Sequence, residues 1–198
     1  MLNPANNTTR YAAIFAILSM LILFGLGTYL TSYLKGEISQ SLFTVSQSLA
    51  FGNQPVVILL LTTSIILLGY INIIRGPSKL LWLRQFLLLL VYGMVITLLW
   101  VTTYYSTIDH YILATIIFIS IVVYINITSI LYYKNIKNVN IFNKVILILL
   151  SSLSIIVLIG LAISKFEYIN KKVVELFPSL ENSMIFLFLV CILIQGFM

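Results

Sequence analysis

Asp109 and His110 are the residues of this chain best equipped for chemistry. They stand side by side, and each is the only residue of its kind in the sequence. A carboxylate beside an imidazole can move protons near neutral pH or hold a metal. Glu181 is a further carboxylate, just ahead of the last apolar run, and Ser46 is a hydroxyl in the polar segment VSQSLAFGNQP. His110, Asp109 and Glu181 are therefore the candidate catalytic groups, and Ser46, His110 and Glu181 the candidate ligand-binding groups. Against catalysis, one His cannot build a multi-His zinc site, and no Cys/His metal spacing or phosphate loop occurs. An Asp-His pair at a helix start also serves as a cap that suits the helix dipole. Ser46 and Ser48 lack a G-x-S-x-G elbow. Cys191 is the single cysteine, so an intrachain disulfide is excluded and a small apolar residue within a span is the plain reading. No metal or cofactor is expected.

The elements that must position these groups are membrane helices. The 198 residues are 61% hydrophobic and 8% charged, with mean hydropathy +1.13. A soluble domain of this size needs far more charge to cover its surface. At about 20 apolar residues per crossing, the length allows about six spans and no soluble domain. The expected fold is all-α: a polytopic six-helix bundle forming one domain over 1–198, with spans at about 11–34, 55–74, 82–105, 110–133, 145–164 and 182–198. The first run has the length of a retained signal-anchor, since a signal peptide's apolar core is shorter. Two short amphipathic helices are expected on the lumenal or extracellular side. Ile38, Leu42, Val45 and Leu49 mark one; Phe166, Ile169, Val173 and Leu176 mark the other, which Pro178 is expected to end. The last apolar run, 183–198, is then a little short for a full crossing.

A net charge of +6 would suggest nucleic acid in a soluble protein, but here it reflects Lys and Arg at helix ends. Arg10, the 75–84 turn (Arg75, Lys79, Arg84) and the 134–144 loop (Lys134, Lys137, Lys144) fall on one side of a six-span chain. Lys35, Lys165, Lys171 and Lys172 fall on the other with most of the acids. Both termini and the basic turns are thus expected in the cytoplasm, and Asp109-His110 and Glu181 in the lumen or exterior, where these three groups are expected to converge, with Ser46 a candidate neighbour. Asn6 and Asn7 fit the N-x-S/T glycosylation pattern, but that use needs a lumenal N-terminus. No ionisable residue is expected in the middle of a span, which argues against proton pumps, ion-coupled transporters and voltage sensors. Asn72 and Asn126 are expected to make interhelical hydrogen bonds, and Gly25, Gly27, Gly69, Gly93 and Gly160 to allow close helix packing. Trp82, Trp100, Tyr104, Tyr105, Tyr132 and Tyr133 fit an aromatic belt.

Three places carry a family likeness. Val45-Ser46 through Gly52 to Pro55 leads into the second span. Gly93 is followed by Asp109-His110-x3-Ala114-x3-Phe118-x5-Tyr124-x4-Ser129. Glu181 opens the last span. In this order the chain resembles the six-span family that includes the damage-regulated autophagy modulators (DRAM) and the lumenal-lipid factors that act on GPI anchors. It differs in carrying Gln47 where an acid is common and Asn182 where a Trp is common. The resemblance implies a multi-pass protein of endomembranes, including lysosomal ones, or of the plasma membrane. It would modulate membrane, lipid or autophagy-type processes without a catalytic centre. Its implied partners are the bilayer, specific lipids or other membrane proteins, not nucleic acid. Two alternatives stand beside it: a lipid-modifying enzyme using His110 with Asp109 or Glu181, and a small transporter or channel.

Overall fold

Long Leu, Ile and Val runs leave a backbone in lipid few ways to satisfy its N–H and C=O groups, and the α-helix satisfies them within one segment. A computed structural model describes residues 7–22, 54–75, 78–100, 107–135, 141–164 and 177–197. Among the described residues there are six helices and no strand: α1 (Asn7–Leu21), α2 (Gln54–Arg75), α3 (Leu81–Trp100), α4 (Thr107–Asn135), α5 (Ile141–Ser164) and α6 (Phe177–Phe197). Four of them contain a stretch long and apolar enough to cross a membrane: Leu81–Leu98, Ile112–Lys134, Ile141–Ile163 and Ser179–Phe197. α2 carries a shorter apolar run, Ile58–Ile74. Both expected amphipathic helices, at 38–50 and 166–177, lie outside the described residues except for Phe177, which begins α6.

Helix ends differ from the sequence expectation in three instructive places. Pro178, expected to end a surface helix, stands in the first turn of α6. A first-turn proline costs nothing there, because its missing N–H has no intrahelical acceptor anyway. The last span therefore starts earlier and reaches the length of a crossing. Lys144, expected in a loop, lies in the first turn of α5. Arg84, expected in a turn, lies in the first turn of α3.

The helices pack in chain order as a closed ring, each against the next and α6 against α1, and α6 also touches α2 and α4. Neighbours run antiparallel, as the pairs Asn72–Arg84, Gln85–Gly69 and Thr62–Tyr92 show for α2 and α3. Leu68, Leu88, Ile125 and Ile192 fill the interior. Ile66, Leu89, Ile156 and Phe186 point outward and are more than 60% exposed. An apolar outer surface of this kind is what lipid, not water, would cover. Within the helices, the hydroxyls of Thr62, Ser64, Ser120 and Ser183 donate to the carbonyl four residues back, at 2.7 Å each, which satisfies them without a partner helix.

The turn into α3 is sharp. Leu80 has φ 54°, in the left-handed region that a branched side chain adopts only under constraint. The Leu81 N–H donates to the Ser78 carbonyl at 3.3 Å and the Arg84 N–H to the Leu80 carbonyl at 3.0 Å. That geometry turns α3 back along α2 and brings Arg84 against its neighbour's Asn72.

Candidate functional site

Asp109 and Glu181, the sequence-predicted groups whose side chains are described, fall at one end of the ring. Asp109 is exposed in the first turn of α4. His110 follows it in the helix, but its side chain lies outside the described residues, as does all of Ser46. Glu181 sits near the start of α6 and is buried, at 5% exposure. α4 and α6 enter the bundle from the same end, so the two carboxylates share that end while differing sharply in burial. Among the described residues no three His, Cys, Asp or Glu side chains come together.

The opposite end holds what the sequence did not suggest. Arg84, Asn72 and Tyr124 are completely buried and Gln195 is 2% exposed. Arg84 donates through Nη1 to Asn72 Oδ1 at 3.0 Å. Asn72 donates through Nδ2 to the Tyr124 hydroxyl at 2.9 Å. That hydroxyl has Gln195 Oε1 as an acceptor at 3.2 Å, and Gln195 Nε2 in turn faces Cys191 Sγ at 3.4 Å. The Tyr124 hydroxyl has Asn72 Oδ1 as a second acceptor at the same 3.2 Å, so its single hydrogen serves one or the other. Four helices contribute: Asn72 from α2, Arg84 from α3, Tyr124 from α4, and Gln195 with Cys191 from α6. Phe188 of α6 packs edge-on against Tyr124, centroids 5.6 Å apart at 73°, which fixes the phenol ring. Chemically this relay is a tie. Its donors and acceptors engage one another in a dry interior, where an interhelical bond holds helices together.

Two further ties follow the sequence expectation. Asn126 donates to Ser154 Oγ at 3.1 Å, joining α4 to α5, and Asn72 bridges α2 and α4 as above. Gly69 lets Gln85 lie close, and a methyl group on Gly160 would stand 3.3 Å from Leu180. Gly93 departs from expectation: nothing lies within 4 Å of a Cβ added there, so it faces outward and packs nothing. The closest approach is at Gly196, whose added Cβ would run into Ala13 Cβ of α1.

The surface feature that opens to the outside lies elsewhere, on the seam between α4 and α5, and is mostly apolar. A groove of about 370 Å³ there is lined by Asn126, Ser129, Tyr133, Lys134, Ser151 and Ser152, with isoleucines between them. Ser129 is 3% exposed, and its Oγ has no hydrogen-bond partner. Lys144 Nζ lies over the Tyr133 ring, 5.6 Å from its centroid, at the same end of the groove as Lys134.

Arg84 and Gln195 escaped the sequence reading. Arg84 follows a basic turn, where an arginine ordinarily faces water. Its one distinguishing signal is the apolar setting Leu-Trp-Leu-Arg-Gln-Phe. Comparison with protein-family models, curated proteins and solved structures finds no match for this chain.

Proposed function

We propose that the chain acts as a non-enzymatic, multi-pass membrane protein of DRAM-like architecture that modulates membrane or lipid processes in an endomembrane or the plasma membrane. Both termini and the basic turns face the cytoplasm, and Asp109, His110 and Glu181 face the lumen or exterior. The observation that carries the non-enzymatic reading is the Arg84–Asn72–Tyr124–Gln195 relay. The most polar cluster inside the described bundle is buried and engaged with itself, as a structural tie is, whereas a catalytic group must reach a substrate. The apolar outer face supports the membrane setting, and the span order and motif placement from Gly93 to Ser129 support the family likeness.

A second reading, lipid modification by His110 with Asp109 or Glu181, has one observation in its favour. Glu181 is buried beside the end where His110 lies, and a buried carboxylate is a usual starting point for acid–base work. A transport reading has less support, because Arg84, Tyr124, Tyr132 and Asn72 fill the interior at the basic end.

The test is lipid turnover. Purified protein in liposomes of mixed phospholipids, followed by mass spectrometry, should leave lipid composition unchanged, with His110→Ala and Glu181→Gln indistinguishable from wild type. A lipid product made by wild type and lost in His110→Ala would replace this proposal with the enzymatic one.

A further inference from the structure

The α4–α5 seam holds a groove whose open surface is mostly apolar, with Lys134 and the exposed Ser152 in its lining. Ser129 also lines it, but its Oγ is buried, as is Thr128 Oγ1 next to it, so an occupant reaches Lys134 and Ser152 instead. Asn126 uses its amide hydrogens on Val122 O at 2.8 Å and on Ser154.

Charge selects the class of occupant. Lys134 lines the groove, and Lys144 stands by Tyr133. Arg10, Arg75 and Lys79 belong to the same end of the ring, while the described ionisable groups of the far end, Asp109 and Glu181, are acids. An exposed cation at the basic end, followed along the seam by the half-exposed Ile130 and Ile148, matches a phospholipid read from headgroup to acyl chain.

We propose that the α4–α5 groove is a binding site for an anionic phospholipid. Its phosphate sits against Lys134 with Lys144 near, and an acyl chain follows Ile130 and Ile148. This site does not rest on the functional reading above, since it would hold lipid whether or not the protein modifies one.

The experiment is native mass spectrometry of full-length protein released from nanodiscs of equal phosphatidylglycerol and phosphatidylcholine. Wild type should retain phosphatidylglycerol in preference. Lys134→Gln should reduce that preference about five-fold, the effect of one cation near a charged lipid surface. Ser152→Leu adds bulk at an exposed position of the groove without entering the core, and should lower retention of both lipids. Lys79→Gln removes an exposed charge from the same end but outside the groove, and should change nothing. Equal retention of the two lipids by wild type overturns the proposal. So does a Lys79→Gln effect as large as that of Lys134→Gln, or unchanged retention in Ser152→Leu.

Discussion

At the scale of single residues, the relay from Arg84 to Gln195 makes the sharpest demands. Each member satisfies its neighbour in a place water does not reach, so the cost of a change depends on what it leaves behind. Tyr124→Phe removes one hydroxyl and keeps the ring against Phe188. It should cost about 1–2 kcal/mol, the range of interhelical hydrogen bonds in membranes. Asn72→Leu takes the acceptor from a buried guanidinium and should cost about 3–5 kcal/mol. Because both variants cut the same bond, the double variant should fall short of the sum, and thermal unfolding in detergent measures all three. Additive losses would show that the two residues do not share a bond. None of this relay was legible as a unit in the sequence. Asn72 and Tyr124 are 52 positions apart, and Tyr124 and Gln195 are 71 apart. Only the ring closure brings them together. Arg84 was hidden more simply, since a lysine or arginine next to a basic turn counts toward the positive side whether it faces water or the helix next door.

At the scale of the elements, apolar runs located the helices well and their ends poorly. Pro178 shows why. The same residue that cannot continue a helix is welcome in its first turn, and the local sequence does not say which role it takes. Glycines carry a similar ambiguity. Gly69, Gly93 and Gly160 look alike in sequence, yet only the first and last have a neighbour close enough to need the missing side chain. Gly196, which has the closest neighbour, sits at the very end of α6, where a glycine is easily taken for a helix terminator. Gly196→Ala should push α6 away from α1 at Ala13 and cost about 1–3 kcal/mol. Gly93→Ala, facing open space on α3, should be neutral or gain up to about 1 kcal/mol from better helix propensity. Thermal unfolding of the two variants side by side checks this, and equal losses at both would count against the α1–α6 contact.

At the scale of the whole molecule, composition alone settled the class. The described helices form a ring with an apolar outside, a buried polar tie near the basic end, and acids near the other. What the sequence could not show is how the polar groups divide. It singled out Asp109-His110, Glu181 and Ser46, because rare ionisable and hydroxyl residues stand out in an apolar chain. The structure adds groups whose importance comes from burial and neighbours: the Arg84 relay inside, and Lys134 beside the α4–α5 groove. The proposed topology requires α3 to cross the membrane with its basic end in the cytoplasm. Cysteine labelling tests this most directly, because the native Cys191 is buried and should stay silent. Single cysteines at Lys79 and at Asp109, exposed at opposite ends of the ring, are treated with a membrane-impermeant maleimide. In sealed vesicles with the cytoplasmic face outward, Lys79→Cys should label at once and Asp109→Cys only after the membrane is permeabilised. Labelling of both from the same side would contradict the crossing, and with it the assignment of the basic end to the cytoplasm.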